Sequence, residues 1–335
     1  MRAMISEETS ALVRQPSSGN SANASIDIER YSSQVSYSSA ESSLSDSNTQ
    51  VQPYFKTKLP RELFVCIIIF VFGVYSPTSF WRPLFGISMR PIPYQVLKSG
   101  DVVLDLELNN PYVLNADVAV SSRLLKHTSI TLPLALLIII TQLAPRSTVK
   151  YFDTHSAVCV LLLSIGLCEF TTQIAKMYVG RLRPNFYQIC GFNPDTLACT
   201  ASEHYIMESR SSFPSGHSSL STAGMSVLVW FFLGRAGIGL GALKSKNAKG
   251  RQSGKIKVAA VLSLTPLAWS TFVACSRLVD FWHHPSDIIA GICLGLFFPV
   301  VTYHMWYPTV VSSQAGVPLS CLAAAKVRCV DKNFA

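Results

Sequence analysis

The sequence has little charge, and this shortage separates it from most soluble proteins. Charged residues make up 14% of its 335 positions and hydrophobic residues 49%, with a mean hydropathy of +0.32. An ordinary soluble domain has about 25% charged residues. An integral membrane protein is therefore indicated. The net charge of +9 does not predict a nucleic-acid partner, because the basic residues cluster beside hydrophobic stretches, where membrane lipids account for them.

Two further absences narrow the class of protein. None of the nine cysteines forms a CxxC pair, so neither a zinc ribbon nor a thioredoxin-type motif is supported. No cleavable signal peptide is expected, because residues 1–55 are polar. This segment has 15 serines in its first 50 positions and too few large apolar groups to offset chain entropy. We predict a disordered cytosolic tail.

Six hydrophobic stretches approach the roughly 20 residues that a helix needs to cross a bilayer. They cover about residues 63–81, 127–145, 156–175, 217–238, 256–275 and 287–307. Some contain polar residues, which suits helices that pack against one another. We predict an all-α, polytopic membrane protein. A bundle of six transmembrane helices occupies residues 60–307, and a cytosolic tail follows at 308–335.

The basic residues predict the orientation of this bundle. Residues 235–257 contain seven lysines and arginines and no acid, which places this loop in the cytosol by the positive-inside rule. Counting spans from this loop puts both termini in the cytosol and the loops after spans one, three and five on the other side. That side is extracellular in a plasma membrane and luminal in endoplasmic reticulum or Golgi; the sequence leaves the membrane open.

Three motifs with phosphate-binding chemistry fall on this non-cytosolic side. Lys176 precedes Arg183-Pro184, and Arg277 supplies a third cation. Cations stabilise the charge on a transferring phosphoryl group. The second motif, Pro214-Ser215-Gly216-His217, opens span four. Here the hydroxyl of Ser215, the exposed backbone of Gly216 and the helix N-terminus suit an anion, while His217 is a candidate proton donor. A serine-rich helix cap with an incidental histidine is the alternative.

The third motif adds a candidate nucleophile. His283 and Asp287 are four residues apart, so a helix would place them on one face, where the carboxylate could fix the histidine tautomer. His284 is the rival nucleophile, and it lacks a carboxylate at i+4. A metal site from His283, His284 and Asp287 is a further alternative. No companion Asp or His cluster of a two-metal phosphatase is present, and catalysis without a metal or other cofactor is expected.

Other polar residues have structural interpretations. Arg181 is interpreted as a loop arginine that faces lipid headgroups, and Asp280 as a brace for Arg277 or the histidines. Glu169 precedes Lys176 by seven residues, on a similar helical face, and both an ion pair and a functional role remain open for it. Cys190 and Cys199 share a non-cytosolic loop, where an oxidising environment would permit a disulfide; two free thiols are the alternative.

The three motifs together resemble those of the type 2 phosphatidic acid phosphatase superfamily. The matching motifs are Lys176-x6-Arg183-Pro184, Pro214-Ser215-Gly216-His217 and Ser276-Arg277-x5-His283-x3-Asp287. The longer segments at 180–186, 213–219 and 276–284 resemble the eukaryotic lipid phosphate phosphatase branch of this superfamily. Trp282 and Pro285 depart from the branch pattern. The resemblance covers roughly residues 60–307.

The resemblance implies a six-span enzyme that removes phosphate from phosphatidate, lysophosphatidate, sphingosine 1-phosphate or ceramide 1-phosphate without a metal. It implies a phosphohistidine on His283, with Asp287 as its partner and His217 as the acid. It also implies that Lys176, Arg183, Ser215, Gly216 and Arg277 hold the phosphate. Three alternatives remain: a phosphatase for isoprenoid or other lipid diphosphates, a catalytically silent membrane scaffold, and a transporter. The preferred lipid and any homo-oligomer are left open.

Overall fold

Long apolar stretches fold into helices, which keep their backbone hydrogen bonds within one segment as a bilayer requires. The structure, a computed structural model, describes residues 51–114, 117–143, 147–236, 250–312 and 314–323. The predicted tail up to residue 50, the loop at 237–249 and the C-terminal residues 324–335 lie outside these ranges. The first helix begins at Val51, inside the segment predicted as tail.

The chain forms helices of very different lengths. They are α1 (Val51–Ser76), α2 (Arg82–Phe85), α3 (Ser122–Lys126), α4 (Leu132–Leu143), α5 (Ser147–Val179), α6 (Phe186–Cys190), α7 (Glu203–Ser209), α8 (Gly216–Arg235), α9 (Gly250–Leu262), α10 (Pro266–Val279) and α11 (Pro285–Trp306). π-helical turns at Pro77–Trp81 and His127–Thr131 join α1 to α2 and α3 to α4. The second turn precedes Pro133, which has no amide hydrogen to donate within the helix.

Short strands occur only in the connections of the described chain. Strands β1 (Tyr94–Val96) and β2 (Val102–Leu104) pair antiparallel with Tyr94 opposite Leu104. Strands β3 (Phe192–Asn193) and β4 (Ala198–Cys199) pair antiparallel with Phe192 opposite Cys199. A single 3-10 turn at Leu106–Leu108 follows β2. The prediction of an all-α membrane protein is confirmed, since these strands are only two or three residues long and lie in the connections between helices.

Within the described ranges, five helical runs are long and apolar enough to cross a membrane. They are Lys58–Phe85, Ser122–Leu143, Tyr151–Val179, Gly254–Val279 and Pro285–Trp306. The remaining predicted span is α8, whose first half is rich in serine. Most of α8 is buried, because it packs against α5, α10 and α11. A helix with protein on every side needs no lipid-facing surface, so its polar residues are tolerated. The count of six spans stays a prediction.

Two glycines of α11 set its distance from α8. A Cβ atom at Gly291 would lie 2.5 Å from the Ser215 carbonyl oxygen, and one at Gly295 would lie 2.6 Å from the Ser219 carbonyl oxygen. Only glycine permits so close an approach of the two backbones. The contact fixes the N-terminus of α11 beside the N-terminus of α8, and both of these ends carry predicted site residues.

The segment after α11 folds back onto the bundle. Val317 and Cys321 are buried together with Leu59 of α1 and Phe152 of α5. This part of the predicted cytosolic tail is therefore packed, as far as residue 323. The packing lies at the start of α5, the end of the bundle opposite to the predicted site.

Candidate active site

The three motifs converge on one cavity. The C-terminal ends of α5 and α10 meet the N-terminal ends of α8 and α11, so the separate motifs become neighbours. The cavity has a volume of about 560 Å³. Its lining includes six of the predicted site residues: Lys176, Arg183, Gly216, His217, Arg277 and His283. Ser215 and Asp287 are fully buried behind this lining.

His283 is held with one ring nitrogen turned away from the cavity. Its Nδ1 lies 2.6 Å from the carbonyl oxygen of Ser212. A carbonyl can only accept, so Nδ1 carries the proton and Nε2 keeps its lone pair. Nε2 lies 3.4 Å from an Nη atom of Arg183, in the direction of the cavity. Burial lowers the pKa of His283 well below its ordinary value, which keeps the ring neutral and nucleophilic.

Asp287 does not contact His283 in the way that the i+4 spacing predicts. Its Oδ2 lies 3.8 Å from Nδ1 of His283, beyond hydrogen-bond distance. The same oxygen accepts from the Ser212 hydroxyl at 2.6 Å and from the His284 amide at 2.9 Å. Asp287 therefore fixes Ser212, and the Ser212 carbonyl orients His283. The capping of α11 by His284 explains the geometry, because it draws the carboxylate toward the helix start.

The structure also corrects the interpretation of His284. Its Nδ1 lies 3.2 Å from Oδ2 of Asp287, so the rival histidine has a carboxylate partner at i+3. His284 is absent from the cavity lining, whereas His283 belongs to it. The arrangement favours His283 as the nucleophile.

His217 faces the cavity from the first turn of α8. The backbone of Val120 hydrogen-bonds the ring, and Nε2 is buried without a partner among the described residues. An unpartnered buried nitrogen is costly unless a ligand meets it. Nε2 of His217 can therefore exchange a proton with a group that binds in the cavity.

Each of the three predicted cations is held by a fixed partner. Nζ of Lys176 donates to the Ser211 carbonyl at 2.6 Å, and an Nη atom of Arg277 donates to Asp280 at 2.8 Å. The brace role predicted for Asp280 is thus confirmed. Such partners hold the cations in place before a ligand binds, which is the arrangement that stabilises a transition state best.

Arg183 has the largest set of partners of these cations. It donates to the Glu208 carboxylate and, at 2.9 Å, to the carbonyl of Trp282. Its guanidinium also lies 4.7 Å from the centroid of the Trp282 ring. Trp282, a departure from the family pattern, therefore packs on a site cation.

The second motif forms a capped helix start. The Ser215 hydroxyl accepts from the Ser218 amide at 3.4 Å and from the Ser218 hydroxyl at 3.0 Å. Ser215 is not among the cavity-lining residues, so the structure uses it as an N-cap. Gly216 does line the cavity, beside the side chain of Lys176.

Arg181 does not have the headgroup-facing position that its loop suggested. An Nη atom donates to Asp287 at 2.7 Å and to the Ser286 hydroxyl at 2.6 Å. Arg181 thus supplies the positive charge that balances a fully buried carboxylate.

Two site residues have no counterpart in the sequence analysis. Glu208 lines the cavity and pairs with Arg183. Burial would raise the pKa of Glu208, but the charges of Arg183, Lys176 and Arg82 hold the pKa below its ordinary value. Ser212 contributes through a backbone carbonyl, which carries no sequence signal. Glu208 lies in the short helix α7, which belongs to none of the three motifs, so no motif pointed to it.

A covalent bond closes residues 190–199, which belong to the same connection between α5 and α8 as Arg183. Cys190 and Cys199 form a disulfide with Cα atoms 5.2 Å apart, the pairing named from the sequence. Within the described ranges, no group of three or more His, Cys, Asp or Glu side chains converges as a metal ion requires. Catalysis without a metal remains a prediction.

The fold and site define a class: a helical membrane protein in which two histidines and several basic side chains line one cavity. The family model of the PAP2 superfamily matches residues 157–310, which contain all the motif residues. This part of the chain is similar to the PAP2 superfamily, and the predicted resemblance is confirmed.

Named relatives agree with this assignment. The probable lipid phosphate phosphatase 4 of Arabidopsis thaliana is 32% identical over 50% of this chain and 53% of its own length. Lipid phosphate phosphatase 1 of the same plant is 29% identical, over 53% of each chain. Diacylglycerol pyrophosphate phosphatase 1 of Saccharomyces cerevisiae is 28% identical over 64% of this chain and 73% of its own length. The match to the plant relatives thus spans about half their length. No solved structure matches the chain significantly.

Proposed function

We propose that this protein is a membrane phosphatase that hydrolyses lipid phosphomonoesters through a phosphohistidine on His283. The observation that carries the proposal is the lone pair of His283 Nε2 at a cavity whose lining includes Lys176, Arg183 and Arg277. The same cavity is lined by His217, whose Nε2 has no hydrogen-bond partner among the described residues. Phosphatidate, lysophosphatidate, sphingosine 1-phosphate and ceramide 1-phosphate are the substrates that the resemblance implies. The names of the relatives support the same chemistry.

The reaction needs two displacements at phosphorus. In the first, the lone pair of His283 Nε2 forms the N–P bond while the bond from phosphorus to the lipid oxygen breaks. His217 gives that oxygen a proton, so the lipid leaves as an alcohol. In the second, His217 takes a proton from water, and the water oxygen forms a bond to phosphorus while the N–P bond breaks. Inorganic phosphate is released, and His283 Nε2 regains its lone pair. Lys176, Arg183 and Arg277 stabilise the charge on the phosphoryl oxygens in both steps.

The proposal includes an orientation. The basic loop predicted to be cytosolic follows Arg235, at the far end of α8 from the cavity. The cavity would then open on the extracellular or luminal side. The disulfide between Cys190 and Cys199 supports this side, because such bonds persist in oxidising compartments.

Phosphate release from phosphatidic acid in detergent micelles with excess EDTA tests the proposal. Wild-type protein should release phosphate under chelation, and His283→Ala should lose at least about a thousandfold in kcat. Release that EDTA abolishes would contradict metal-independent catalysis. Equal release by both proteins would contradict the role of His283.

One observation favours lipid diphosphates as a second candidate substrate. Arg82 lines the cavity, and its Nε and one Nη atom are buried without a hydrogen bond or ion pair among the described residues. Among the described residues, Lys176, Arg183 and Arg277 have hydrogen-bond partners, whereas these two nitrogens of Arg82 have none. A second phosphate would satisfy them.

Comparing Arg82→Gln with Arg123→Gln separates the two substrate classes. Arg123 is an exposed arginine of α3 outside the cavity lining and serves as the control. If diphosphates are substrates, Arg82→Gln should lower kcat/KM for a diacylglycerol diphosphate about tenfold more than for the monophosphate. Equal effects on both lipids would remove the support for diphosphates.

A further inference from the structure

A carboxyl group lies on the same cavity, deeper along α5 than the phosphate-binding lysine. Glu169, Gln173 and Lys176 all line the cavity, and their spacing places them on one helical face. Glu169 precedes Lys176 by seven positions, which is about 10 Å along the helix axis. It therefore lies on the side of the cavity that leads into the membrane-spanning part of the bundle.

One oxygen of Glu169 is buried without a partner. The side chain of Gln173 hydrogen-bonds the carboxyl group, but Oε1 has no hydrogen-bond partner within the described chain. Among the described residues, no ion pair joins Glu169 to another side chain. Lys176 is not its partner, because Nζ of Lys176 donates to the Ser211 carbonyl. A buried acceptor of this kind is costly, and polar groups at membrane depth are often functional.

The charge and hydrogen-bonding capacity of this carboxylate oxygen determine which group of a lipid substrate can bind to it. A carboxylate repels phosphate, so the phosphate stays at the end with Lys176, Arg183 and Arg277. A hydrogen-bond donor on the lipid, within a few bonds of the phosphate, would meet Glu169. We propose that Glu169 is a specificity-determining residue that recognises an ammonium or hydroxyl group next to the phosphate ester of the lipid. This inference rests on the proposed lipid phosphatase function.

Two pairs of lipids isolate this contact. Sphingosine 1-phosphate carries an ammonium group that N-acylation removes in ceramide 1-phosphate. Lysophosphatidate carries a free hydroxyl that a second acyl chain removes in phosphatidate. Wild-type protein should have the higher kcat/KM for the donor-bearing member of at least one pair. Glu169→Leu should reduce that ratio about 10- to 100-fold, the effect of losing a hydrogen bond to a charged group.

The variant Glu169→Gln distinguishes the two donors. Glutamine keeps a neutral acceptor, so it should retain a preference for the hydroxyl but lose a preference for the ammonium. Glu107→Gln is the matched control, because Glu107 is an exposed acid outside the cavity lining, and both ratios should stay at the wild-type value. An unchanged ratio in Glu169→Leu, including an equal loss on both lipids of each pair, would overturn the proposal.

Binding separates this inference from the proposed function. In His283→Ala protein, the donor-bearing lipid should raise the Tm more than its N-acylated or diacyl counterpart. Adding Glu169→Leu should abolish that difference. If wild-type protein released no phosphate but kept the difference, the phosphatase proposal would fail and the Glu169 contact would stand. If the difference is absent, the Glu169 contact fails whatever the activity.

Discussion

Two clusters of buried charge lie at opposite ends of the helix bundle. In one cluster the charged groups pair with each other, and in the other some buried polar atoms have no partner within the described chain. Away from the cavity, Arg235 pairs with Asp153, and the Tyr307 hydroxyl donates to the same carboxylate at 2.9 Å. At the cavity, His217 Nε2 and Glu169 Oε1 are buried with no partner within the described chain.

The difference teaches how to separate structural from functional charge. In the Arg235 cluster the ionised groups satisfy one another, and the guanidinium also lies 3.6 Å from the centroid of the Phe231 ring. Such a cluster joins α5, α8 and the segment after α11, and the charged groups of Arg235 and Asp153 are paired with each other. In the cavity cluster, buried polar atoms lack partners within the described chain, which is a pattern typical of functional sites.

The largest expected effect concerns the cavity cluster. Arg277→Gln should lower kcat/KM for a lipid phosphomonoester by about 10²- to 10³-fold, because one stabilising cation is lost from the phosphoryl group. The measurement is steady-state phosphate release in micelles. A fall below tenfold would mean that Arg277 contributes mainly through its pairing with Asp280.

The matched change at the other end should act on stability alone. Arg235→Met leaves Asp153 buried without its ion-pair partner and should reduce the free energy of unfolding by about 2–4 kcal/mol. Thermal unfolding in detergent measures this loss. Activity per folded molecule should stay within about twofold, and a larger loss of kcat would contradict the separation of the two clusters.

Arg181 should have an intermediate effect, because it acts on His283 through Asp287 and Ser212. We expect Arg181→Gln to lower kcat about tenfold with little change in KM, and Arg181→Lys to recover part of the loss. The split between kcat and KM is the readout, since a general folding defect would lower the active fraction without this pattern. A rise in KM alone would instead assign Arg181 to substrate binding.

The smallest effect is a pH dependence of stability. The folded state holds the pKa of His283 well below its ordinary value, whereas the unfolded chain binds this proton near pH 6.5. As pH falls below about 6.5, the unfolded state gains a proton that the folded state lacks, so stability falls. When the pH is lowered from 7 to 5.5, the free energy of unfolding of the wild-type protein should fall by about 1 kcal/mol more than that of His283→Asn. Equal losses would place the His283 pKa near its ordinary value.

Spacing in the sequence predicted most of the site but not its contacts. Lys176, Arg183, Gly216, His217, Arg277 and His283 were all identified from motifs, and all of them line the cavity. The i+4 spacing of His283 and Asp287 predicted a direct hydrogen bond, which the helix cap of α11 replaced. Arg181 was misinterpreted because its partner lies on a different helix, more than a hundred positions away.

The sequence by itself determined the class of protein, its mostly helical structure and the motif residues that meet at the cavity. These follow from local properties: hydropathy, helical spacing and the side-chain types that phosphate requires. Only the tertiary structure decided which acceptor orients His283, which carboxylate pairs with Arg183 and which polar atoms stay open to the cavity. Those choices depend on where separate helices bring a backbone carbonyl or a distant side chain, and no local pattern records such distances.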